Sequence, residues 1–238
     1  MAALAKGGSS AGGDKPALVP CLMISKGRIM LPAEGGPIAA VPKNGGTFDL
    51  FEIADRLIAD YERLYVVDLD GVDRDQPQLD YLQEIARGGE IWVDAGVRTA
   101  DQAIDVLVAG AQRAVLSTAF LRSDRELRKA WRLSSDLVFE IEVRDGAVAG
   151  RAPEWTGRGA FDVATAARAE APTDLVLSYR EAPVDWTVAR ALARDGPLWV
   201  DGSFELSDAP KLREYDCRGA IFHVHEFLSQ YESPLPGA

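Results

Sequence analysis

The apolar positions of this chain follow two periods in turn. Short runs rich in Val, Ile, Leu and aromatic residues fall near 19–25, 64–69, 90–94, 112–117, 137–143, 174–179, 197–201 and 219–223, and read as strands. Between them, apolar residues three and four apart predict helices near 49–61, 77–87, 100–109, 123–132, 160–169, 185–194, 207–214 and 225–231. Thr99-Ala100-Asp101-Gln102 and Ser123-Asp124-Arg125-Glu126 have the spacing of capping boxes that open the third and fourth helices. Strand–helix alternation demands a parallel sheet with right-handed crossovers. Eight such units predict an α/β fold closed into a (βα)8 barrel, because closure leaves no exposed edge. An open doubly wound sheet is the alternative, and the regular spacing lends it no special support.

The expected organisation is a tail over residues 1–17, one barrel over 18–231 and a second tail over 232–238. Gly7-Gly8-Ser9-Ser10-Ala11-Gly12-Gly13 has nothing to pack, and Ser233-Pro234-Leu235-Pro236-Gly237-Ala238 ends the chain in the same way. The longest stretch without a predicted element runs from Gly27 to Phe48, and a loop of that length suggests a lid or a binding loop. There is also an internal repeat. Glu90-Ile91-Trp92-Val93-Asp94-Ala95-Gly96 resembles Pro197-Leu198-Trp199-Val200-Asp201-Gly202-Ser203, at an offset of 107 residues from Trp92 to Trp199. A half-barrel duplication accounts for it; chance similarity between two strand–helix units is the other reading.

Composition narrows the partners. Of 238 residues, 37 are Asp or Glu and 26 are Lys or Arg, giving a formal charge of −11. Such a chain is a poor neutraliser of nucleic-acid phosphates or of an anionic membrane surface. No apolar run approaches the roughly 20 residues of a membrane span, and no signal-peptide core is evident at the N-terminus. Cys21 and Cys217 are too few and too far apart for a disulfide scaffold, so a cytoplasmic location is expected. A small-molecule substrate fits, handled by a monomer or a small homo-oligomer. Neither Gly-rich segment has the spacing of a phosphate loop or a dinucleotide fingerprint, so no cofactor is expected.

The candidate chemistry is acidic. Val138-Phe139-Glu140-Ile141-Glu142-Val143 alternates, which puts Glu140 and Glu142 on one face and aims them into the barrel. Buried, crowded carboxyls raise one another's pKa, as a general acid or base requires. The plain alternative is a structural network with Lys26 or Arg180. Asp68, Asp70, Asp94 and Asp201 add further acids at strand ends, and a mouth this acidic prefers an amine, another cationic group or a divalent metal. Half of them could equally face solvent or cap helices. His223-Val224-His225 lacks a matching third-ligand motif, so no metal site is assigned; His223 alone is a candidate catalytic residue or an ordinary packing residue. Lys26 stands just past the first strand, as a charge partner or a phosphate contact. Trp92 and Trp199 read as barrel packing, and neither cysteine lies in a motif.

Several of these segments look familiar together. Val19-Pro20-Cys21-Leu22 with Lys26-Gly27-Arg28, Leu64-Tyr65-Val66-Val67-Asp68-Leu69-Asp70-Gly71, Val93-Asp94-Ala95-Gly96-Val97-Arg98-Thr99, Val115-Leu116-Ser117-Thr118-Ala119 and Arg144-Asp145-Gly146 occur in constant order. They resemble the histidine-biosynthesis barrels, ProFAR isomerase and the sister imidazole-glycerol-phosphate cyclase. The resemblance runs over about residues 18–229 and weakens after the fifth strand. It implies a barrel of the ribulose-phosphate-binding type with its site at the C-terminal ends of the strands. It also implies a phosphate turn at Gly96, Ser117 and Thr118, with Arg98 beside it.

The departures from that pattern are chemical. The family's first-strand acid is Met23 here, and its fifth-strand acid is Glu142. The sixth-strand Thr-Asp pair reads Ser178-Tyr179. The glycines of the second phosphate turn become Asp201-Gly202-Ser203, and the glycine after strand eight becomes His223. A carboxylate or a Cβ opposes a phosphate at such a turn. The expectation is therefore a relative diverged from the histidine pathway, an isomerase or lyase for a small, at most singly phosphorylated, sugar- or amine-like metabolite. Glu142 would be its acid/base, the 27–48 loop its lid. Relatives lacking the first-strand acid resemble isomerase-related proteins of methanogens and methylotrophs, which are associated with one-carbon coenzyme metabolism. A non-catalytic binding or scaffold barrel and an orthodox ProFAR isomerase with a substitute acid remain the alternatives.

Overall fold

The computed structural model describes residues 15–43, 45–171, 173–180, 182–224 and 228. Eight parallel strands form the wall: β1 (Ala17–Ser25), β2 (Arg63–Asp68), β3 (Glu90–Asp94), β4 (Arg113–Ser117), β5 (Leu137–Arg144), β6 (Asp174–Ser178), β7 (Leu198–Asp201) and β8 (Gly219–His223). The last returns to the first, with Ala17 paired to Gly219 and Cys21 to His223, so the sheet is a closed (βα)8 barrel. Helices α1 (Leu50–Tyr61), α2 (Leu79–Ala86), α3 (Ala100–Val108), α4 (Asp124–Leu133), α5 (Ala160–Glu170), α6 (Trp186–Ala193) and α7 (Ala209–Glu214) follow β1 to β7 in order. Apart from Leu228, the eighth predicted helix, 225–231, lies outside the described residues, as do His225 and the tails over 1–14 and 232–238.

Four local expectations change. Ala17 belongs to β1 rather than to a tail, because its amide donates to the Arg218 carbonyl at 2.9 Å and continues the pairing with β8. The 27–48 segment is not structureless: it contains strands Arg28–Leu31 and Ile38–Ala39. On one edge β1 pairs with β2 through Ile24, whereas on the other β8 stops at Cys21. The upper residues of that edge need partners, and the chain supplies them by reversing through Lys26 (φ 50°) and Gly27 (φ 69°). Positive φ at both loop residues is the tight hairpin geometry that matches strand twist, and it pairs Ser25 with Arg28 and Met23 with Met30. After β2, a short helix Leu69–Arg74 appears where strand was expected at 69, because Asp68 accepts from the Asp70 and Gly71 amides and caps it. Finally, α7 starts at Ala209, behind a single 3-10 turn over Leu206–Asp208.

The predicted caps form with a refinement. Thr99 Oγ1 accepts from the Gln102 amide and Ser123 Oγ from the Glu126 amide, each at 3.4 Å. The Glu126 carboxylate, however, accepts from the Ala100 amide at 2.8 Å, so one side chain satisfies an orphan donor of the neighbouring helix and ties α3 to α4.

Two apolar shells result. The outward faces of the strands pack against the helices, and a smaller set fills the barrel: Val19, Cys21, Tyr65, Val67, Trp92, Val115, Val138, Val176, Trp199 and Ile221. Alternation and pairing register sort the inner set into layers drawn from alternate strands. The lowest holds Val19, Trp92, Val138 and Trp199; above it lie Tyr65, Val115, Val176 and Ile221. Trp92 and Trp199 sit edge to face at 4.8 Å, and the Arg63 guanidinium lies within 5.6 Å of both rings. The repeat offset thus places equivalent tryptophans opposite each other on the barrel floor.

Candidate functional site

The next layer up changes character. The odd strands now contribute Cys21, Asp94, Glu140 and Asp201, one thiol and three carboxyls in a buried ring. Each carboxyl is anchored through one oxygen. The Tyr65 hydroxyl donates to Glu140 Oε2 at 2.9 Å, the Gly96 amide to Asp94 Oδ1 at 3.0 Å, and the Ser178 hydroxyl to Asp201 Oδ2 at 2.6 Å. The second oxygens, Glu140 Oε1, Asp94 Oδ2 and Asp201 Oδ1, are buried and accept no hydrogen bond.

Burial dominates the electrostatics of this ring. It raises the Glu140 carboxyl to about 8; Arg180 opposes the rise, while Asp94, Asp201 and Glu142 add to it. Burial likewise raises Asp94, against Arg180 and the Gly96 amide, and lifts the Cys21 thiol and the Tyr65 hydroxyl well above their ordinary ranges. Glu140 is therefore a carboxyl that keeps its proton near neutrality.

Arg180 lies over the ring. It follows β6 with a left-handed backbone (φ 55°), its amide donating to Ser178 Oγ at 3.3 Å. Its guanidinium donates to Glu142 Oε2 at 2.8 Å and stands 3.9 Å from Glu140 Oε1, with the Phe120 ring 5.8 Å away. Burial alone would lower its pKa, but Glu140, Asp94, Glu142 and Asp201 together raise it. Glu142 is fully buried, and its other oxygen accepts from Arg144 Nε at 2.6 Å. His223 joins from β8, Nε2 lying 4.0 Å from Asp201 Oδ1 and Nδ1 unpartnered.

Of the residues expected from sequence, the mouth gathers Glu142, Asp201 and His223. The others take different places. The Lys26 side chain is exposed and makes no ion pair among the described residues; its amide donates to Asp70 Oδ2 at 2.7 Å, and Arg180 and Arg144 hold Glu142 instead. Asp68 faces away from the barrel interior. Besides capping the short helix, it accepts from the Gln78 amide and side chain at 2.5 and 3.0 Å, so its oxygens are spent on the wall. Arg98 is a strut, donating to the carbonyls of Gly71, Gly96 and Val72 and to Asp75 over 2.7 to 3.1 Å.

Gly96 (φ 61°) meets a hard constraint, since a Cβ there would come 2.6 Å from Val72 Cα. Its amide is taken by Asp94. At the neighbouring turn the Thr118 amide donates to the Glu140 carbonyl, Ala119 to Ser117 Oγ, and Phe120 and Leu121 to the Ser117 carbonyl. Thr118 Oγ1 bridges the Ala149 carbonyl and the Glu142 amide. The amides expected to cradle a phosphate there are internally bonded. Gly202 packs against the loop after β6, where a Cβ would lie 2.8 Å from the Ala182 carbonyl oxygen. Among the described residues, no three His, Cys, Asp or Glu side chains are placed to hold one metal ion, and no helix is long and apolar enough to cross a membrane.

Sequence reading gave no site role to Tyr65 or Ser178, and it named Arg180 as a structural partner of the two glutamates, which the contacts to Glu142 and Glu140 bear out. Tyr65 and Ser178 were legible in principle, as inward positions by strand parity. Arg180 lies beyond the end of β6, where parity no longer tells direction.

The sequence pattern of the histidine biosynthesis proteins matches residues 17–198. This chain belongs to that family. Similar curated proteins include the ProFAR isomerases of Rubrobacter xylanophilus, 38% identical over 45% of this chain and 46% of the relative, and of Sorangium cellulosum, 35% identical over 57% and 58%. That of Moorella thermoacetica is 32% identical over 66% of this chain and 70% of its own. The chain thus spans about half the length of the first two curated relatives it matches. The family pattern stops at the start of β7, before Asp201 and His223.

Proposed function

We propose that this member of the histidine biosynthesis family is a cytoplasmic acid–base enzyme, an isomerase or lyase, that has diverged from the histidine pathway. Its substrate is a small sugar- or amine-like metabolite carrying one phosphate at most. The observation that carries the reading is the pair of buried carboxyls on one face of β5, Glu140 and Glu142, joined at the mouth through Arg180. Glu140 holds a proton at neutral pH and can deliver it; Glu142 is the position matching the family's fifth-strand acid, and its ion pairs orient Arg180 over the reacting group. Asp94 and Asp201 support the change of substrate. By the family resemblance they stand where relatives carry the turn glycines that receive phosphate, and a carboxylate there opposes a phosphate oxygen.

Two measurements test the reading. Purified protein is expected not to isomerise ProFAR at an enzymatic rate, and turnover at such a rate would end the claim of divergence. Glu142→Gln is expected to abolish the chain's own activity while its circular dichroism and melting stay cooperative. A scaffold barrel would lose nothing functional from that change.

A further inference from the structure

We propose that Asp94, Glu140 and Asp201 form a binding site for a primary ammonium group, the end of the substrate that enters the barrel. This rests on the reading of the mouth as the place where a small metabolite reacts. The three residues are 1%, 2% and 8% exposed, yet each presents one oxygen that accepts no hydrogen bond: Asp94 Oδ2, Glu140 Oε1 with Arg180 no nearer than 3.9 Å, and Asp201 Oδ1 with His223 no nearer than 4.0 Å. Buried acceptors left bare are costly, and a ligand that donates to them removes that cost. Once Glu140 has given up its proton, three such oxygens on three different strands match the three N–H donors of an ammonium head. A guanidinium fits less well, because its planar fork seeks both oxygens of one carboxylate, and here Tyr65, Gly96 and Ser178 have each taken one.

Charge points the same way. Four carboxyls, Glu140, Asp94, Glu142 and Asp201, face only two guanidiniums, those of Arg180 and Arg144. The carboxyls outnumber the guanidiniums by two, so a cation is the complementary charge for the cluster. A metal ion is a poorer candidate. Its oxygen ligands must close to about 2.0–2.6 Å, whereas an N–H donor is satisfied near 2.9 Å, and no three acidic, His or Cys side chains among the described residues can share a metal. The other groups facing the ring are the Cys21 thiol, the Tyr65 and Ser178 hydroxyls and the His223 imidazole, and none of them is a fixed cation.

The test is isothermal titration of the intact chain with propylammonium chloride, against 1-propanol, potassium chloride and magnesium chloride at matched ionic strength. Propylammonium is expected to bind saturably and at least tenfold tighter than 1-propanol. Asp94→Asn and Asp201→Asn are each expected to weaken it tenfold or more. Binding to the unmodified chain is expected to strengthen as pH rises through 8 and Glu140 ionises, a trend that Glu140→Gln removes. Equal affinity for propanol, undiminished binding in folded variants, or displacement of propylammonium by magnesium would each overturn the proposal. The amine–alcohol comparison needs no variant, so a variant that fails to fold leaves the proposal decidable. The outcome is also separable from the catalytic reading, since ProFAR turnover, or activity that survives Glu142→Gln, would sink that reading while propylammonium still bound the ring.

Discussion

Glu140→Gln turns the buried ring into a measurable pH dependence. Gln keeps the shape and retains an acceptor for the Tyr65 hydroxyl, but it cannot ionise. In the folded chain the Glu140 carboxyl is raised from 4.5 to about 8, chiefly by burial. An acid with a raised folded pKa binds more protons folded than unfolded between those two values. The unfolding free energy therefore falls as pH rises across that window, by up to ~1.4 kcal/mol per unit. The stability this group contributes is complete below pH 4.5 and lost once pH passes 8. Over the whole window the loss is about 5 kcal/mol as an order of magnitude, with relaxation and water entry reducing it. Urea unfolding of the unmodified chain and of Glu140→Gln at pH 5, 6.5, 8 and 9 reads the difference. The variant should gain on the parent steadily with pH and exceed it by several kcal/mol at pH 9. A difference constant from pH 5 to pH 9 would show that Glu140 does not change its proton in that range, and the account of the ring would fail with it.

Other consequences are simpler to state. Arg180→Gln leaves Glu142, fully buried, with only Arg144. It should cost about 3 kcal/mol in urea unfolding, the lower end of the range for breaking a buried pair, because the Arg180 side chain is 33% exposed. Arg98→Gln should lower stability by about 2–3 kcal/mol, through several lost carbonyl contacts, yet leave propylammonium affinity within twofold. A tenfold loss of affinity would instead make Arg98 a ligand contact. Gly96→Ala places a Cβ 2.6 Å from Val72 Cα at a positive φ, so its melting temperature should fall by several degrees. Cys21 and Cys217 are buried with raised thiol pKa values, so a colorimetric thiol reagent should label neither until denaturant is added.

The barrel was legible because strand–helix alternation is a long-range pattern repeated eight times, each repeat carrying its own period and, in two cases, its own cap. The inward aim of Glu140, Glu142, Asp94 and Asp201 was legible for a related reason, since parity along a strand decides its face. Legibility stopped where parity stops. Arg98 and Asp68 carry the residue types of a binding site, but Arg98 spends its donors on carbonyls of the short helix after β2, and Asp68 spends its oxygens capping that helix and holding Gln78. The hairpin at Arg28–Leu31 was missed because its strands are short and partly polar, and what calls them into being is the unpaired upper edge of β1.

The tryptophan floor has a consequence for traffic. Trp92 and Trp199 are almost wholly inaccessible, and Arg63 lies across both, so the N-terminal end of the barrel is shut to water. Below the acidic ring the interior is filled with side chains, and the doorway to the ring is the C-terminal end of the strands. A ligand must leave by the way it entered, and so must any proton that departs Glu140. That doorway holds a guanidinium, which repels hydronium and is itself tied to Glu142. Any proton exchanged between Glu140 and solvent therefore passes beside the Arg180–Glu142 ion pair, at the end of the barrel opposite the floor.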